Sequence, residues 1–113
     1  MSSKIISLSK SEDFKSILGG KKIYNKYLTI FFKKLSNKDY KKLNISFVTK
    51  KKIGNAVRRN RIKRRLRNIM NDASKNINLN LNYCYLLIAK ISVLNEPYEN
   101  IKQTLFSDFE KIK

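Results

Sequence analysis

The sequence predicts an α/β fold, a sheet of about four strands with helices packed over it, in the order α-β-β-β-α-β-α. Three patterns predict it. Leu43, Ile45 and Phe47 alternate with Asn44, Ser46 and Val48, the period of a strand; after Gly54 the apolar period changes to about 3.6; and Tyr83 to Lys90 is a nearly continuous apolar run, closed by Asn82 before it and Pro97 beyond. At 113 residues and 42% hydrophobic, residues 1–113 suit a single domain with one modest core.

Ser9 and Glu12 stand at the spacing of a capping box, and Phe14, Ile17 and Leu18 follow on one helical face until Gly19-Gly20 stops the helix. Ile23 to Lys34 is rich in Tyr, Ile and Phe and reads as one or two strands. Ser36-Asn37-Lys38-Asp39 is a polar turn, and the strand of Leu43 to Val48 comes next. A helix then begins near Ala56 or Val57, burying Ile62, Leu66, Ile69, Met70 and Ala73 on one side. The polar stretch from Asn71 to Asn82 reads as a loop. The strand of Tyr83 to Lys90 leads to a closing helix, Tyr98 to Ile112, with Ile101, Leu105 and Phe109 at helical spacing. The strand-helix-strand unit implies a crossover, which the general rule makes right-handed.

Function is concentrated in residues 50–67, KKKIGNAVRRNRIKRRLR, where ten of eighteen residues are Lys or Arg and no acid intervenes between Asp39 and Asp72. The net charge of +18 calls for a polyanion, because each neutralised phosphate releases counterions. A solvated charged face is the ordinary explanation of such a run. Here arginine outnumbers lysine six to one from Arg58 to Arg67, without acids to pair it, and its planar fork suits phosphate and bases. Gly54 before the helix allows a turn that brings Asn55 and the first helical N–H groups close to a phosphate.

Other chemistries are poorly supplied. The chain has no histidine, which removes Ser-His, Cys-His and His-ligated metal sites, and its eight carboxylates are scattered. The expectation is therefore no catalytic residue and no protein metal ligand, leaving as the alternative a carboxylate pair assembled by folding. Cys84, inside an apolar strand, reads as structural. No apolar run is long enough to span a membrane, and Met1 to Ser11 lacks the apolar core of a secretion signal, so the expected location is the cytoplasm.

Lys51-Lys52-Ile53-Gly54-Asn55-Ala56-Val57 with Arg58-Arg59-Asn60-Arg61-Ile62-Lys63-Arg64 resembles the signature of the bacterial ribonuclease P protein subunit. The core R-N-R-x-K-R falls on Arg59, Asn60, Arg61, Lys63 and Arg64, and the next arginine on Arg67. Glu12-Asp13-Phe14 is similar to the opening of that family's first helix, and Tyr85 to Lys90 to its late strand.

The resemblance implies a cofactor protein of a catalytic RNA that removes the 5′ leader of precursor tRNA, with Mg²⁺ held mainly by the RNA. It implies an α/β sandwich of the ribosomal protein S5 domain 2-like kind, whose crossover through the basic helix is left-handed against the general rule. The implied partners are the catalytic RNA and the precursor-tRNA leader, with no membrane and no obligate protein partner. Lys51, Lys52, Asn55, Arg58, Arg59, Asn60, Arg61, Lys63, Arg64 and Arg67 would face the catalytic RNA.

A leader cleft between the first helix and the sheet would include Phe14, Leu18, Ile30, Ser46 and Val48. Phe14 fits the core as well as the cleft. Leu18 stands where the family has an aromatic. Ile30 aligns without gaps to a family tyrosine, but Phe31 and Phe32 follow it and a one-residue slip exchanges the faces. The leading alternative is a structured-RNA-binding protein without a processing role. DNA binding, a membrane-surface helix and an independent protein nuclease are less well supported.

Overall fold

Tyr83 to Lys90 becomes the centre of a mixed sheet. The computed structural model describes residues 5–8, 10–36 and 38–112. In chain order the elements are β1 (Ile5–Ile6), α1 (Ser11–Leu18), β2 (Lys21–Tyr24), β3 (Leu28–Lys33), β4 (Leu43–Val48), α2 (Ala56–Asn76), β5 (Cys84–Ala89), α3 (Ser92–Asn95) and α4 (Tyr98–Glu110), with a 3-10 turn at Lys51–Ile53. The sheet has five strands in the order β1-β4-β5-β3-β2. β5 pairs antiparallel with β3 and parallel with β4, so α2 forms the crossover between two parallel neighbours. β1, only two residues long, adds the fifth strand at the β4 edge; two residues are too few to show alternation in sequence.

Alternation along β3, β4 and β5 sorts their side chains to two faces. Ile30, Phe32, Ile45, Phe47, Tyr85 and Leu87 point to one face, where they pack with Ile62, Leu66, Ile69 and Met70 of α2 and Ile101, Leu105 and Phe109 of α4. The opposite face carries a smaller cluster of Leu8, Ile17, Cys84 and Leu86, flanked by Phe14, Phe31, Val48 and Ile88. The main sandwich is thus sheet against α2 and α4, and α1 lies on the far side.

Two elements depart from expectation. The basic helix runs through Asn76, so 71–76 is helix rather than loop. Met70 and Ala73 are anchored in the core, Ser74 Oγ donates to Asn71 O at 2.7 Å, and Asn76 Nδ2 donates to Asp72 O at 2.8 Å. Core burial there outweighs the weak helix propensity of Asn and Ser. At α1 the N-cap is Lys10, with no side-chain cap; Ser9 of the expected capping box lies outside the described residues, as does Asn37 of the expected turn. The helix does end at the glycines. Gly20 lets the chain turn tightly back onto β3, since a Cβ there would meet Phe32 O at 2.6 Å.

Candidate nucleic-acid interface

The basic helix enters from a turn built for it. Gly54 holds φ +152°, a conformation L side chains rarely adopt, and a Cβ there would lie 2.8 Å from Arg58 Cδ. Asn55 is the N-cap, its Oδ1 accepting the Arg58 N–H at 3.0 Å. That bond uses the oxygen of Asn55 and leaves the amide nitrogen as its outward donor.

From this start, burial of Ile62, Leu66 and Ile69 turns Asn55, Arg58, Asn60, Arg61, Lys63, Arg64 and Arg67 outward; all are exposed, as are Lys51 and Lys52 on the 3-10 turn. Arg59 is half-buried, and its Nε is shielded without a hydrogen-bond partner, a donor that a ligand oxygen would satisfy. Among the described residues, no α2 arginine pairs with a carboxylate.

Arg65 is different in kind. Its Nη1 donates to Val93 O at 2.6 Å and Leu94 O at 3.2 Å, and its Nη2 donates to Glu96 O at 3.0 Å. These bonds hold the carbonyls around α3, so this arginine belongs to the fold rather than to the charged face. Only the helical phase distinguishes it in sequence, because its neighbours Arg64 and Leu66 place it at the edge of the buried stripe.

On the other face of the sheet, α1 covers part of the surface and leaves part open. Ile17 is its one buried residue. Phe14 is half-buried beside it, and Leu18, one turn on, is 46% exposed. The ladders align Ser46, Leu86 and Phe31 in one row across β4, β5 and β3, and Val48, Ile88 and Thr29 in the next. Phe31, Val48, Ile88 and Thr29 are each only half-buried.

Ile30 is not on this face. It is fully buried toward α2, because Ile30 pairs with Leu87 and Phe31 with Leu86; the aromatic that faces α1 from β3 is Phe31. Ser46 lines the α1 side, but its hydroxyl is engaged, accepting the Leu8 N–H at 2.8 Å.

α1 is tied down at its first turn. Lys38 Nζ donates to Asp13 Oδ2 at 2.5 Å, with both side chains less than one-fifth exposed. That hydrogen bond, helped by the carboxylate's charge, holds the Lys38 ammonium's pKa above the usual lysine range. Tyr40 closes the same loop, its hydroxyl donating to Leu35 O and accepting from Leu35 N–H, and it lies 4.0 Å from Cys84 Sγ. Burial pushes the Cys84 thiol up, so it is a poor nucleophile at neutral pH.

The two surfaces meet at the β4 edge, past the end of β1. A cavity of about 380 Å³ there is lined by Phe14, Ser46 and Val48 from the α1 side and by Lys63 and Arg67 of α2. The Arg67 guanidinium also lies 5.9 Å from the Phe47 ring centroid. Cations and the half-buried Phe14 ring in one groove offer phosphate contact and base stacking together.

Known proteins agree with this architecture. The family model for Ribonuclease P matches residues 3–113. The ribonuclease P protein component of Carboxydothermus hydrogenoformans is 34% identical over 102 residues, covering 87% of this chain and 83% of its own. That of Fusobacterium nucleatum is 36% identical over 106 residues, covering 92% and 86%. Among solved structures, the RNase P protein of Thermotoga maritima superposes with a TM-score of 0.79 over 96% of this chain and 98% of its own, at 24% identity. The Staphylococcus aureus RNase P protein gives 0.74 over 94% and 93%, at 25% identity. With the family model matched over residues 3–113 and relatives above 30% identity along most of its length, the chain belongs to the ribonuclease P protein family.

Proposed function

We propose that the outward face of α2, with Lys51 and Lys52, binds the catalytic RNA of ribonuclease P, and that the open sheet face beside α1 receives the single-stranded 5′ leader of precursor tRNA. The broader role follows from family membership: a protein component of ribonuclease P, acting with its RNA subunit in tRNA 5′ processing, where the RNA is catalytic. The observation that carries the finer reading is the cavity at the β4 edge, where Phe14 and Val48 adjoin Lys63 and Arg67. A leader leaving the cleavage site on the RNA would pass directly from the cationic face to the apolar one.

In this reading Arg58, Arg59, Arg61, Lys63, Arg64 and Arg67 neutralise phosphates, while the amides of Asn55 and Asn60 suit hydroxyl or phosphate contacts. Phe14, Phe31 and Val48 supply apolar surface for unstacked bases with little sequence preference. In this reading Mg²⁺ is held mainly by the RNA; among the described residues there is no group of three or more His, Cys, Asp or Glu side chains that could hold a metal ion. No helix among the described residues is long and apolar enough to cross a membrane. The reading itself is of a cytoplasmic protein with no membrane and no obligate protein partner.

The test is cleavage of precursor tRNA by a bacterial ribonuclease P RNA at low Mg²⁺, with and without this protein. Addition should restore 5′ processing, and Arg59→Ala with Arg61→Ala should abolish the rescue. Tight RNA binding without rescue would point instead to a structured-RNA-binding protein outside tRNA processing.

A further inference from the structure

The uncovered row of the sheet does not stop at Thr29. In the β2–β3 ladder Thr29 pairs with Tyr24 and Phe31 pairs with Lys22. Directly paired residues point to the same face, so Tyr24 and Lys22 share the surface of Phe31, Ile88 and Val48. Tyr24 is 63% exposed, the one aromatic ring among the exposed large hydrophobics of the described residues. The Lys22 ammonium stands over its ring, 5.2 Å from the centroid, and at that exposure the ring keeps surface for a planar partner. Lysines on an edge strand are ordinary protection against strand pairing. An unburied tyrosine at the end of that strand serves no such purpose and gains little from packing.

The surroundings continue the same chemistry. A cavity of about 540 Å³ beside the row is lined by Thr29, Ile88 and Ile91 with Lys50, Lys52 and Lys90 on its rim. From Val48 on β4 to Tyr24 on β2 is three strand spacings, about 14 Å, an apolar strip flanked by cations. One end of that strip adjoins the α2 cations at Phe14; the other ends on Tyr24.

We propose that Tyr24 and Lys22 form a base-stacking subsite for single-stranded RNA at the outer edge of the sheet, taking a leader base farther from the cleavage site than the one at Phe14. The ring stacks the base, and Lys22 contacts an adjoining phosphate. Stacking on tyrosine is tolerant of base identity, so the subsite reads leader length rather than leader sequence. This inference rests on the cleft reading above.

The experiment measures binding of the holoenzyme, reconstituted with a bacterial ribonuclease P RNA, to two precursor tRNAs. One carries a long leader, and the other a leader trimmed to the nucleotides next to the cleavage site. Tyr24→Ala should weaken the long-leader complex by about five- to tenfold, the lower range for loss of one stacked base, and leave the trimmed one unchanged. Tyr24→Phe should retain binding. Lys22→Ala should reduce the salt dependence of the long-leader complex alone.

Phe14→Ala separates the two levels of the argument. If Phe14→Ala weakens the long-leader complex while Tyr24→Ala does nothing, or acts equally on both substrates, the edge subsite is wrong and the cleft stands. If the wild-type holoenzyme does not distinguish the two leaders, the cleft reading fails and the subsite with it.

Discussion

The two faces of the sheet are built on opposite terms. Toward α2 and α4, Ile30, Ile45, Tyr85 and Leu87 are fully buried, and Phe32 and Phe47 nearly so, beneath a 21-residue and a 13-residue helix. Toward α1, one eight-residue helix with a single buried residue covers part of the surface, and Phe14, Phe31, Val48, Ile88 and Thr29 remain half-exposed. Cohesion of the domain therefore lies on the first face, and the second keeps the half-exposed apolar surface on which the proposed leader cleft rests. The same division runs through α2, whose inner stripe packs the core while its outer face carries unpaired cations.

Core truncation tests this division most strongly. Leu66→Ala, at a fully buried α2 position, should cost about 2–5 kcal/mol in urea unfolding, because a cavity opens where neighbours cannot collapse. Phe14→Ala should cost well under the ~3–5 kcal/mol of a buried phenylalanine, since its ring is half out of the protein, yet it should weaken leader binding. Equal losses of stability at the two sites would erase the distinction between a holding face and a presenting face.

Adjacent arginines sharpen the comparison within α2. Arg65→Ala removes donors from three backbone carbonyls around α3 and should lower stability by about 1–3 kcal/mol, with the salt dependence of RNA binding unchanged. Arg64→Ala, whose side chain is exposed, should leave the unfolding curve in place and reduce the salt slope of RNA binding by about one unit. The pair is measured by unfolding and by salt titration of the same two variants.

Much of this was legible in the sequence because period and phase carry it. Gly19-Gly20 marked the end of α1, alternation marked β4, and Ile62, Leu66 and Ile69 oriented the charged face of α2. What stayed hidden depended on distant partners. Ile30, Phe31 and Phe32 are all apolar, so no alternation ranks them, and only pairing with Leu87, Leu86 and Tyr85 decides which one faces α1. The last turns of α2 look like loop because Asn and Ser are indifferent helix formers. Packing of Met70 and Ala73, with Tyr98 donating to Asp72 at 3.1 Å, extends the helix past them. In sequence Tyr24 is one more β-former; its exposure and its place in the open row emerge only once β2 is paired to β3.

The smallest expected effect concerns how the presenting face is held. Cys84 lies under Tyr40 on the α1 side, its thiol pushed up by burial, so alkylation near neutral pH should be slow and should report opening of the loop around Lys38 and of α1. Lys38→Met removes the partner of Asp13, the one ion pair that holds α1 among the described residues. It should speed alkylation of Cys84 severalfold while moving the melting temperature little, because the α2 face still carries the global stability. Lys38→Arg, which restores a cation, should return the rate toward wild type. An unchanged rate in Lys38→Met would mean that Ile17 and Phe14 alone keep α1 in place, and the open face would then be as rigid as the closed one.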